Sequence, residues 1–172
     1  VLGETSSPAV PYNDVTSMYN MFRSNKFGTA TIDTTLYANH TKAEITNKIN
    51  STFSASSSND VNYIYMTCHG GKDGKIIIGK NGLEGYTGSE LRTLLDKLKG
   101  NYVIMLDCCY AGTAINKDVC DNCIDNFIND FNSCKSGELL TSKYTLICSS
   151  NKTETSRGGS INSLATKYWN LG

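Results

Sequence analysis

The sequence predicts an α/β domain built on a mostly parallel central sheet, and three observations carry that expectation. Three short apolar runs stand out: VNYIYMTC (Val61 to Cys68), NYVIMLDCC (Asn101 to Cys109) and KYTLICSS (Lys143 to Ser150). Each is continuous rather than alternating and rich in β-branched and aromatic residues, the pattern of parallel strands covered on both faces. Between the first two lies TGSELRTLLDKLKG, in which Thr87 and Glu90 have capping-box spacing. Leu91, Leu94, Leu95 and Leu98 share one helical face there, and Gly100 closes the segment. Strand, helix and strand joined by one crossover read as a βαβ unit.

The remaining elements follow in chain order. NDVTSMYNMFRSNKFG predicts a helix starting at Asn13 or Asp14, with Val15, Met18, Tyr19 and Phe22 on one stripe. TATIDTTLYAN alternates in part and is expected to hold a strand, and HTKAEITNKINSTF gives a second amphipathic helix before the linker SASSSND. After His69, GGKDGKIIIGKNG places Ile76 to Ile78 between glycines, as a hairpin strand would. No internal repeat is visible.

The chain has 172 residues, 16 basic and 16 acidic side chains and no net charge. At this length about 70% of the unfolded surface can be buried, enough for one sizeable core. The expectation is a single domain over residues 1–172, open to truncation at both ends; VLG begins the sequence as if mid-strand, which is the sign at the amino end. Without excess Lys and Arg, neither nucleic acid nor an anionic membrane surface is the expected partner. No apolar run approaches the roughly 20 residues that span a bilayer, and residues 1–8 lack the basic and apolar regions of a signal peptide.

In open parallel sheets, ligands sit beyond the carboxyl ends of the strands, so those ends are where chemistry is sought. The first apolar run leads into Thr67-Cys68-His69-Gly70-Gly71 and the second ends in Asp107-Cys108-Cys109-Tyr110-Ala111-Gly112. If the two strands are parallel neighbours, a histidine and a cysteine meet in one crevice. An imidazole beside a thiol is the minimal nucleophile–base pair, able to take the thiol proton and return it to a leaving amine. Gly70, without a Cβ, lets its N–H approach a substrate carbonyl as an oxyanion donor alongside the N–H of the cysteine. Taken singly, a strand-end histidine or a buried cysteine is more often structural; it is the pairing that points to catalysis. His40, the other histidine, reads as a surface residue at a helix start.

An apolar strand ending in His-Gly, a helix, and an apolar strand ending in Asp-x-Cys-Tyr-small-Gly resemble the cysteine peptidases of the caspase-type fold, metacaspases and clostripain-like enzymes among them. YNDVTSMYNMF, YTLICSSNKTETS and GGSINSLATKYWNLG extend the likeness over most of the chain. The resemblance implies a caspase-like three-layer sandwich and peptide hydrolysis through a thioester. His69 would be general acid/base and Cys109 the nucleophile, with the N–H groups of Gly70 and Cys109 as the oxyanion hole. Cys108 is the rival nucleophile by sequence; strand alternation sends neighbouring side chains to opposite faces, and the family motif puts the nucleophile before Tyr110.

Asp107, two residues before the nucleophile, implies by the same resemblance a pocket for Arg or Lys, with Ser149 and Ser150 on the turn bordering it. Its plainer role is a carboxylate satisfied by backbone N–H groups. Several relatives have an acid soon after that turn, where this chain has Asn151 and Lys152. The insertion DVCDNCIDNFINDFNSC carries Asp118, Asp121, Asp125 and Asp130 without a basic residue. Such oxygen-rich segments suit Ca²⁺, needed by several relatives though not for the thiol chemistry; a solvated helix face fits equally. Cys120, Cys123 and Cys134 are one thiolate short of a four-cysteine zinc site, so a disulfide or free thiols are expected.

The implied partners are a peptide or protein substrate and a second chain from self-processing. Lys72, Lys75, Lys80, Lys117 and Lys135 are the candidate cut sites, each also an ordinary surface lysine. Relatives usually have a further strand beyond the helix near Trp169, which suggests a fragment or one chain of a processed enzyme. Few charges, many Ser, Thr and Asn and a likeness to secreted bacterial peptidases favour an extracellular place slightly; the seven cysteines pull the other way. Two rivals are a non-catalytic caspase-like binding module and a nucleotide-binding domain. The latter would need a phosphate-cradling glycine loop that GETSSP does not supply.

Overall fold

The computed structural model of the chain describes residues 2–3, 10–24, 36–37, 40–70, 75–78, 84–109 and 143–148. In order these form β1 (Leu2–Gly3), α1 (Val10–Ser24), β2 (Leu36–Tyr37), α2 (Lys42–Phe53), β3 (Val61–Gly70), β4 (Ile76–Ile78), β5 (Glu84–Tyr86), α3 (Gly88–Asp96), β6 (Asn101–Cys109) and β7 (Tyr144–Cys148). All three apolar runs are strands. β3 runs two residues beyond the apolar stretch, through His69 to Gly70.

The sheet is mixed and mostly parallel. β2, β1, β3, β6 and β7 lie side by side with every pairing parallel. The hairpin β4–β5 adds the antiparallel pairings. Met66 pairs with both β1 and β6, and His69 with both β4 and β6. A strand has two edges, so β1 and β4 follow one another along the edge of β3 opposite β6.

Helices cover both faces, completing three layers. On one face Val15, Met18 and Phe22 of α1 bury against Tyr65, with Tyr63 and Met105 packed beside them. On the other, Ile45 and Ile49 of α2 and Leu91 and Leu95 of α3 bury against Ile64, Met66, Ile104 and Leu106. Odd positions of β3 and β6 therefore face α1 and even positions face α2 and α3, as period-two alternation requires.

Local signals explain the helices. Thr41 and Thr87 are both N-caps with complete capping boxes, each hydroxyl accepting from the N3 backbone while Glu44 and Glu90 return the bond. His40 lies just before this cap, its Nδ1 3.6 Å from Glu44 Oε2. After α3 the chain turns at Gly100, whose φ of 97° a side chain rarely adopts and whose Cβ would meet Asn62 Nδ2 at 2.4 Å. The start of α1 differs from expectation: it begins at Val10 with Pro11 in its first turn, and Asp14 is 1% exposed inside the helix rather than at its cap. Proline is tolerated there because first-turn N–H groups have no intrahelical acceptor. Of the strand expected around TATIDTTLYAN, Leu36–Tyr37 is described; the rest lies outside the described residues.

Candidate active site

β3 and β6 pair without a slip from Val61↔Asn101 to His69↔Cys109. Adjoining strands are about 4.8 Å apart, so the backbones at His69 and Cys109 are immediate neighbours at the carboxyl ends of two parallel strands. The crossover through α3 makes this arrangement, since a βαβ unit returns the chain in the same direction. Cys68 and Cys108 pair one step earlier in the same register. Cys68 is buried among the residues packed under α2 and α3.

Gly70 is the last residue of β3 and pairs with Ile76, while His69 also pairs with Ile77. The hairpin thus holds the His-Gly backbone from the side opposite Cys109, and its own seat is well defined. Tyr86, 2% exposed, donates its phenol proton to Lys42 O across 3.0 Å, which leaves Thr46 Oγ1 to donate to the phenol oxygen across 2.6 Å. Burial pushes the Tyr86 phenol up, against the Thr46 bond. The Lys42 backbone N–H donates to Glu84, and Lys42 Nζ pairs with Glu90 Oε1 at 2.8 Å. Partial burial raises the Glu90 carboxyl, but bonds from Lys42 and the Thr87 backbone outweigh it and hold it low. The hairpin, α2 and α3 are in this way clasped together.

Asp107 has no exposed surface and accepts from the Tyr65 hydroxyl at 3.3 Å, Tyr65 being equally buried. Both residues lie on the α1 face, as does Thr67, the buried register partner of Asp107. Tyr65 escaped the sequence reading because it looks like one more apolar strand residue. The usable signal was its parity with His69 and Asp107, since a buried phenol needs a polar partner on its own face. β5 was also missed, and with it the clasp. Ser149 and Ser150, the acidic insertion with Cys120, Cys123 and Cys134, and the lysines at 72, 80, 117 and 135 lie outside the described residues. Among the described residues no group of three His, Cys, Asp or Glu side chains could hold a metal ion, and no helix is long and apolar enough to cross a membrane.

A two-sided α/β sandwich with His-Gly and Asp-x-Cys at neighbouring strand ends invites comparison with known families. The family profile of the caspase domain matches residues 9–166. The chain belongs to the caspase-domain family. Members of that family are generally cysteine peptidases. Among solved structures, the crystal structure of protein GSU0716 from Geobacter sulfurreducens is similar, with a TM-score of 0.64 at 17% identity. The match covers 96% of this caspase-domain chain and 77% of that one, and at such low identity it shows likeness of fold. The search of curated proteins finds no matching sequence.

Proposed function

We propose that this caspase-domain chain is a cysteine endopeptidase in which Cys109 is the nucleophile and His69 the general acid/base, with cleavage after Arg or Lys. The observation that carries the reading is the register pairing of His69 with Cys109 at the ends of adjoining parallel strands. Cys108 pairs instead with Cys68, which lies on the opposite face.

In this mechanism the Cys109 thiol gives its proton to the His69 imidazole and its sulfur attacks the scissile carbonyl carbon. The N–H groups of Gly70 and Cys109 stabilise the oxyanion that forms. As the tetrahedral intermediate collapses, the carbon–nitrogen bond breaks, His69 protonates the departing amine, and the acyl group stays on sulfur as a thioester. His69 then takes a proton from water, which attacks the thioester and releases the acid and the thiol. No cofactor takes part in these steps. Calcium acting through the acidic insertion, and self-cutting after a lysine to give two chains, belong to the same reading.

The preference for Arg or Lys rests on Asp107. A carboxylate recognises a substrate guanidinium or ammonium through charge-assisted hydrogen bonds, and Asp107 stands two positions before Cys109. A peptidyl electrophile ending in arginine tests the reading. Stoichiometric labelling at Cys109, lost in Cys109→Ala and slowed in His69→Ala, is the expected result. Labelling at Cys108, or none at either cysteine, would contradict it.

A further inference from the structure

A single row of register partners crosses the sheet at the level of the candidate dyad: Gly85 pairs with Ile77, Ile77 with His69, and His69 with Cys109. At about 4.8 Å per strand, Gly85 stands about 14 Å from Cys109, too far to touch the reacting atoms. A Cβ built on Gly85 would meet the Ile76 carbonyl oxygen at 2.4 Å and its carbon at 3.2 Å. Approaches under 3.0 Å are essentially never seen for real Cβ atoms, and the atom struck is backbone, so the strand rather than a side chain would have to give way. Ile76 is the register partner of Gly70, and the residue after it is the partner of His69.

β5 cannot readily retreat instead. It is held on α2 through the Tyr86 phenol and through Glu84, which accepts from the Lys42 backbone. β4 meets β3 through two positions, and its Ile76 and Ile78 are buried in the core, so pressure from position 85 on the Ile76 backbone bears on the His69–Gly70 end of β3 that pairs with it.

We propose that Gly85 is a positioning residue for the dyad: its missing Cβ lets the clasped β5 hold β4 close enough to keep His69 and Gly70 in register with Cys109. The inference rests on the Cys109–His69 reading above. It makes β5, remote in sequence from both catalytic positions, part of what sets their spacing.

The test is the pH profile of alkylation at Cys109, read by mass spectrometry of its peptide in the full chain, together with peptide turnover. A thiol kept beside an imidazole reacts at mildly acidic pH, and one that has lost it does not. Gly85→Ala should lower the ratio of mildly acidic to alkaline alkylation rates about tenfold. It should lower kcat about 10- to 100-fold, with a smaller change in KM. Gly100→Ala also creates a close clash, with the Asn62 side chain and at a φ of 97°, but at the amino end of β6, and should leave the alkylation ratio unchanged. If Gly85→Ala does not fold, Tyr86→Phe loosens the seat of β5 without adding volume and should lower the ratio about threefold. A wild-type ratio in whichever of these variants folds would overturn the inference, as would an equal loss in Gly100→Ala. His69→Ala separates the two claims. If it leaves the wild-type profile unmoved, the dyad reading fails and the inference with it; if it moves the profile and the β5 variants do not, the inference alone fails.

Discussion

The Tyr65 hydroxyl donates to Asp107 Oδ2 between adjoining strands, and neither side chain has any exposed surface. The bond joins a phenol packed against α1 to the acid two positions before the candidate nucleophile, so the carboxyl end of β6 and the α1 core are tied together.

Tyr65→Phe keeps the ring against Val15, Met18 and Phe22 and removes the hydroxyl alone. A buried carboxylate short of one donor costs about 1–2 kcal/mol. Urea unfolding followed by circular dichroism should show that loss. A midpoint equal to wild type would mean that the phenol contributes nothing to holding Asp107.

At the opposite end of the strands, Lys143 Nζ donates to Leu95 O at 3.0 Å and Leu98 O at 2.7 Å. A cation is thereby placed at the carbonyl end of α3, where it favours the helix dipole. Lys143→Met should destabilise the chain by about 1 kcal/mol without altering Cys109 chemistry. Equilibrium unfolding and alkylation kinetics on the same variant check both halves of that statement.

Alkaline pH should weaken the fold through the paired tyrosines next to that cap. Burial pushes the Tyr102 phenol from 10.0 up to about 12; burial first, then the Asp96 carboxylate to which its hydroxyl donates, pushes Tyr144 up as well. A phenol that keeps its proton longer when folded adds stability that is complete below the unfolded value and is lost as pH rises through the folded one. For Tyr102 the window runs from 10.0 to about 12. The urea midpoint should fall across it, and Tyr102→Phe should fall less steeply. Lys143, which burial lowers, titrates in both proteins and cancels from the comparison. Equal slopes would contradict the burial argument.

How much of this was legible in the sequence follows the range of each interaction. β3 and β6 were readable because strands with helices on both faces are apolar over most of their length. β7 was readable as an apolar run, but it is not covered on both faces as expected, since its Thr145 and Ile147 are exposed. α3 was readable because its capping box and leucine stripe lie within a few residues of one another. The start of α1 was not, since Pro11 looks like a breaker until it is seen in a first turn. β5 was not, since three residues around Gly85 carry no period. That His69 and Cys109 would meet could be stated only on condition that their strands are parallel neighbours. The residue-by-residue register, the Tyr65–Asp107 bond across 42 positions and the Lys143 cap across 45 and 48 depend on tertiary pairing, which no local pattern encodes.

The most direct measurement is hydrolysis of fluorogenic peptides ending in Arg, Lys, Asp, Asn or Leu, with and without Ca²⁺, beside Cys109→Ala and His69→Ala. Turnover of the Arg and Lys peptides that both substitutions abolish is the predicted result. Turnover of the Asp peptide would keep the dyad and discard the role given to Asp107. Turnover of none of them, with Cys109 inert to peptidyl electrophiles, would contradict the peptidase reading and leave a caspase-domain chain that binds without cutting.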